Sequence, residues 1–101
     1  MRTVYKYGLE TTDLQSIKIP KLKGETDFRK QFLCIDTQHT FPCLWCLVDT
    51  EEKTREVFFR IVGTGNPMQD DINVEEYLGS YQLLGGNFVG HVFLEKGLNG
   101  E

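Results

Sequence analysis

An all-β fold, about seven short antiparallel strands in a meander closing as a small sandwich or barrel with at most one short helix, is what this sequence predicts. Three observations carry the prediction. Apolar and β-branched residues recur with a period of two over runs of seven or eight residues, turn formers punctuate those runs at regular intervals, and no segment keeps a helical period for more than a turn. At 101 residues the chain has room for one domain, 1–101, and one core. Chains this short bury only about 60 to 65 per cent of their unfolded surface, so self-association is expected to supplement stability.

The elements follow in order. Residues 2–7 (Arg-Thr-Val-Tyr-Lys-Tyr) alternate and stop near Gly8. After the turn formers Thr11-Thr12-Asp13, residues 15–20 alternate again until Pro20 ends the ladder, which reads as a hairpin with the first strand. Residues 21–30 are charged, with Leu22 and Phe28 the only apolar side chains, and read as a solvated loop; Lys21, Lys23, Arg29 and Lys30 are weak phosphate candidates there. Residues 31–37 and 42–49 form a second hairpin around Gln38-His39-Thr40-Phe41. Both runs are apolar on both faces, which suits a strand covered on each side or lying at a subunit interface.

Residues 55–62 make the fifth strand and run into Gly63-Thr64-Gly65-Asn66-Pro67. Residues 68–76 read as an acidic loop with one helical turn, residues 77–84 and 88–95 as a last hairpin around Gly85-Gly86-Asn87, and residues 96–101 as a frayed tail.

Composition narrows function more than it defines it. A net charge of −4 argues against a DNA or RNA polymer as partner, since polyanion binding leans on Lys and Arg. No secretion signal, membrane-spanning run or lipidation motif is present, so a cytoplasmic protein with no membrane partner is expected. Three cysteines without a secretion signal are expected to stay reduced. Cys43-Leu44-Trp45-Cys46 has CxxC spacing, but in a strand Cys43 and Cys46 point to opposite faces and cannot share a metal or close a disulfide.

Candidates for chemistry are few. The two histidines, His39 and His91, belong to no hydrolase, zinc or phosphate-loop motif, and His91 alternates with Val89 and Phe93 as a packed strand residue would. No catalytic group, metal or cofactor is assigned, and the reading is a non-enzyme. The acidic cluster Asp70, Asp71, Glu75 and Glu76 lacks the spacing of a calcium loop. Arg60 sits among apolar neighbours and requires an anion, a protein carboxylate before a ligand phosphate. The Gly63-Thr64-Gly65-Asn66 turn is the leading ligand-binding candidate: its glycines let N–H groups converge on an anion, while Thr64 and Asn66 add side-chain hydrogen bonds.

Val4-Tyr5-Lys6-Tyr7 with Leu9 to Asp13 and Gln15, Pro42-Cys43-Leu44-Trp45 with Leu47-Val48-Asp49, Phe59-Arg60-Ile61 through Pro67, Tyr81-Gln82-Leu83 and His91-Val92-Phe93 together resemble a family of small phage-encoded proteins of unknown function. Such proteins are similar to the anti-CBASS sponges, which hold cyclic dinucleotide signals of bacterial immunity away from their effectors. The resemblance implies an all-β homo-oligomer, dimer or tetramer, in the cytoplasm of the infected host. Its ligand would be a cyclic dinucleotide such as 3′,3′-cyclic GMP-AMP, bound without cleavage. Tyr7, Trp45 and Tyr81 would be stacking platforms, worth roughly 1 to 3 kcal/mol per base; Arg60, Gly63, Thr64, Gly65, Asn66 and Gln82 would supply polar contacts. Asn66 departs from the family pattern, where many relatives carry His, and the stretch 21–29 is longer than usual. Two rivals stay open: a phage protein that binds a host or virion protein, and a phosphodiesterase of the same signals.

Overall fold

Seven strands form in a computed structural model, which describes residues 1–99: β1 (Arg2–Gly8), β2 (Leu14–Pro20), β3 (Phe32–Gln38), β4 (Phe41–Asp49), β5 (Thr54–Gly63), β6 (Tyr77–Leu83) and β7 (Phe88–Leu94). All pairings are antiparallel, and the strands divide into a three-stranded sheet, β1-β4-β3, and a four-stranded sheet, β2-β5-β7-β6. The Cα extents of 40 × 32 × 18 Å are those of two stacked layers. The all-β sandwich expected from the alternation is therefore what the chain adopts.

Connectivity differs from a plain meander. Hairpins β3–β4 and β6–β7 form where the turn signals place them, but β1 and β2 do not pair: β1 joins β4 and β2 joins β5. The cause lies in the short link between them. Leu9 is 6% exposed, and its N–H donates to the Pro42 carbonyl at 2.8 Å, so the chain dives between the layers at that point. Gln15 then folds its amide back onto the link, accepting from Glu10 N–H at 2.9 Å and donating to the Glu10 and Thr12 carbonyls at 2.8 and 3.1 Å. Burying one leucine outweighs closing a local hairpin, and the first two strands start different sheets.

The core lies where the inner faces meet: Ile19, Leu44, Cys46, Val48, Val57, Phe59, Val92 and Leu94 are all nearly inaccessible. Residues 21–30 are less solvated than their charge suggests. Leu22 and Phe28 are buried, and the Phe28 ring meets Phe59 edge-on at 5.8 Å, so the loop plugs one end of the sandwich. Asp27 caps a 3₁₀ turn over Phe28–Lys30 by accepting from Arg29 N–H at 3.0 Å. Gln31, expected to open the third strand, instead ends that turn and is fully buried. The helical turn in the acidic loop is present as Val74–Glu76, capped by Asn73. The tail is anchored as far as Asn99, whose side chain pairs with Phe58 N–H and carbonyl at 2.9 and 3.1 Å; residues 100 and 101 of the expected frayed tail lie outside the described residues.

Cys43 and Cys46 point to opposite sides of β4 as alternation requires, and all three cysteines are free. Burial pushes the Cys46 thiol up to about 11, which leaves it protonated and inert at neutral pH.

Candidate functional site

The Gly63–Asn66 segment leaves the end of β5 as a tight turn. Asn66 N–H donates to the Gly63 carbonyl at 3.0 Å, and Gly65 at the third position has φ 86°, the geometry of a type II turn. Thr64 N–H donates to the Val89 carbonyl at 2.9 Å. Two N–H groups expected to converge on an anion are thus spent on the protein's own backbone. What the turn presents is its side chains. Asn66 folds back over Gly63, where any Cβ would lie 2.7 Å from Asn66 Nδ2 and 3.2 Å from Phe88 Cε1, so glycine at position 63 is what lets the amide settle there.

On the cavity side of the turn opens a cleft of about 250 Å³ lined by Thr11, Asp13, Ile61, Asn66, Gln69 and Phe88 among others. Apolar walls come from β5 and β7, and polar groups from the β1–β2 link and the turn. Asp13 is the only charged residue in the lining.

On the opposite side, the outer face of the four-stranded sheet, Thr64 Oγ1 lies 2.6 Å from His91 Nε2, and His91 Nδ1 lies 2.8 Å from the Tyr77 hydroxyl. Register explains the cluster: Val62 and Ser80 flank His91 on the adjacent strands, and the irregularity between Tyr77 and Gly79 turns Tyr77 back onto the imidazole, ring centroids 5.8 Å apart. A neutral imidazole offers one donor and one acceptor. In that form one hydroxyl donates to the ring and the other receives from it, and the hydroxyl that receives keeps its own proton free to donate. Sequence reasoning missed this role for His91, because alternation with Val89 and Phe93 reports which face a residue takes and not what waits on that face.

The remaining candidates divide. Gln82 lies on the same outer face as Thr64, separated from it by Val89, with its backbone carbonyl taken by Thr37 Oγ1 at 2.7 Å. Tyr7 is half-buried on the inner face of the other sheet beside Tyr5, and burial, with Cys46 and Tyr5 nearby, pushes its hydroxyl up to about 12. Trp45 faces outward from that same sheet, so one copy of the chain cannot stack both on one ligand beside Thr64. Tyr81 is a correction: at 2% exposure its ring is core, lying across Gly90, and it offers no free face to a base.

Arg60 finds protein partners. Nε donates to Glu95 at 2.9 Å, Nη1 to Gln69 at 2.7 Å and Nη2 to Asp71 at 3.2 Å. With Arg60 and Glu95 side chains only 12% and 15% exposed, this pair ties β5 to the end of β7 and leaves no open guanidinium for a phosphate. Arg60→Met, which keeps most of the packing, is expected to cost about 3 kcal/mol by stranding the Glu95 carboxylate, read as a lower urea midpoint. A change under about 1 kcal/mol would return Arg60 to the list of ligand groups.

Among the described residues no three His, Cys, Asp or Glu side chains are placed to hold a metal ion, and no helix is long and apolar enough to cross a membrane. No curated protein and no solved structure matches the chain. Residues 1–100 match the model of DUF7352, a domain of unknown function, and the chain belongs to that family.

Proposed function

We propose that this protein binds a cyclic dinucleotide, 3′,3′-cyclic GMP-AMP being the representative, and sequesters it without cleavage in the cytoplasm of a phage-infected bacterium, against CBASS defence. The supporting observation is the cleft beside the Gly63–Asn66 turn. Its volume of about 250 Å³ falls just below the roughly 300–1,000 Å³ of pockets that enclose a whole drug-sized ligand. It suits one base, and a ligand with two bases would span two chains. Apolar Ile61 and Phe88 would flank the base, while the Asp13 carboxylate suits an edge that donates, such as the amino group of guanine. Phosphate contacts would come from the Asn66 amide on the cleft and from the Thr64 hydroxyl at the tip of the same turn, rather than from Arg60 or from Tyr77 on the far face of the sheet.

A phosphodiesterase is the second reading, favoured by the 2.6 Å contact between Thr64 Oγ1 and His91 Nε2, the spacing of a hydroxyl nucleophile and its base. One experiment separates the readings. Purified protein is incubated with a panel of cyclic nucleotides, washed and heated, and the released ligand is chromatographed. Intact ligand supports sequestration, cleaved ligand the enzyme, and no retained ligand a protein-binding role. Thr64→Ala combined with Asn66→Ala is expected to weaken binding about thirtyfold, two hydrogen bonds at about 1 kcal/mol each. Both residues are exposed, so the melting temperature should hardly move. Unchanged affinity would reduce the segment to a chain reversal.

A further inference from the structure

We propose that the outer face of β1-β4-β3 is the contact surface of a homodimer, two copies packing face to face about a two-fold axis parallel to β4. This inference is independent of the ligand. Strand β4 is apolar on both sides: Leu44, Cys46 and Val48 enter the core, while Trp45 and Leu47 face outward with no layer of the described chain above them. Val4 and Leu33 flank them at 48% and 47% exposure, Leu33 pushed out where the register slips between Phe32 and Cys34, while Phe41 is set apart from the patch by Lys6, whose ammonium reaches across β4 to the Gln38 side chain. A contiguous apolar surface with the chain's one tryptophan near its middle is what soluble monomers avoid.

The arrangement matches itself in one orientation. Register sets Val4 level with Leu47, and Cys34 level with Trp45, so Val4 and Leu33 sit at similar heights on opposite sides of β4. An axis along β4 lays Val4 on Leu33 of the partner subunit, twice, and sets Trp45 and Leu47 at the centre. Charge selects the same axis. Lys6 on β1 is level with Trp45 and Asp36 on β3 with Cys43, so stacking β1 over β3 brings these unlike signs to neighbouring heights, whereas an axis across the strands would stack β1, with Arg2 and Lys6, on β1. Three strands spaced about 4.8 Å apart and roughly seven residues long cover only roughly 350 Å² in projection. That is below the about 800 Å² per partner of a standard interface, so the dimer should dissociate on dilution.

Sedimentation velocity on the ligand-free full chain, from low micromolar to near-millimolar concentration, tests this. The mass is expected to rise from one chain to two, with Trp45 emission shifting to the blue over the same range. Leu33→Glu and Val4→Lys each change an exposed side chain and should keep the far-ultraviolet dichroism of the fold while raising the dissociation constant at least about tenfold. Mixing the two variants should restore association, since the lysine introduced on β1 of one copy then meets the glutamate introduced on β3 of the other. A mass of one chain throughout overturns the proposal. So does a dimer that survives Leu33→Glu, which would place the contact on the unpaired edge of β1, or a mixture that associates no better than its components.

Discussion

Gln31→Met is expected to lower stability by about 3 kcal/mol and the melting temperature by about 15 °C, although it preserves side-chain length and volume. The Gln31 side chain is fully buried, yet every polar atom on it is used: Nε2 donates to the Pro20 and Leu47 carbonyls, each at 2.9 Å, and Oε1 accepts from Arg55 Nη2 at 3.1 Å. One amide thereby ties the end of β2, the last third of β4 and the start of β5 at the edge where the two sheets close. Its backbone carbonyl also accepts from Leu47 N–H at 2.8 Å. Methionine fills the same space but leaves two carbonyls and part of a guanidinium without partners in a dry site, where each orphan costs about 1–3 kcal/mol. Paired thermal melts of the two proteins decide the matter: a loss under about 1 kcal/mol would mean that water replaces the amide.

Gly90→Ala should cost about as much, for a steric reason. A Cβ at position 90 would lie 2.6 Å from Tyr81 Oη and 2.8 Å from Cε2. Tyr81 is the cross-strand neighbour of Gly90 and is 2% exposed, so its ring has nowhere to retreat. Gly63 pairs with Gly90 on the other side, and the ring occupies a trough of bare backbone across β7. Overpacking a rigid core costs typically 1–3 kcal/mol, and here the intruding atom is on the main chain, so about 3 kcal/mol is expected. Tyr81→Ala alone should cost about 3–5 kcal/mol through the lost ring. In the double variant the clash is gone, so the combined loss must be smaller than the sum of the single losses. Additive losses in urea unfolding of the four proteins would sink the explanation.

These two residues also mark what could be read from sequence. Strands are legible because alternation is local: Ile17 and Ile19 or Val57, Phe59 and Ile61 declare a face within a few residues. Pairing is not local. That β1 seeks β4 depends on Leu9 being buried, and nothing within ten residues of Leu9 says so. Gln31 reads as the polar start of a strand because its three partners lie 11, 16 and 24 residues away. At the candidate site, the turn is legible from its glycines and Asn66, and Arg60's need for a carboxylate from its apolar neighbours. The meeting of Thr64, His91 and Tyr77 is not, since it joins two strands and a turn that are distant in sequence. Tyr81 misleads because an aromatic in an alternating strand can face either way, and Gly90 opposite it is the one sign that a ring lies inside.

Separation of β1 from β2 also bears on how the chain reaches its fold. Strand β1 meets its partner only at residues 43–49, and β2 only at residues 54–60. Closing loops of that length before any contact is gained is slow, and sandwiches dominated by such distant pairings fold in milliseconds to seconds rather than microseconds. During synthesis the first twenty residues must therefore wait, unpaired and carrying Val4, Tyr5, Ile17 and Ile19, until β4 and β5 have left the ribosome, while β3–β4 is the first hairpin able to form and β1 the strand that closes onto it.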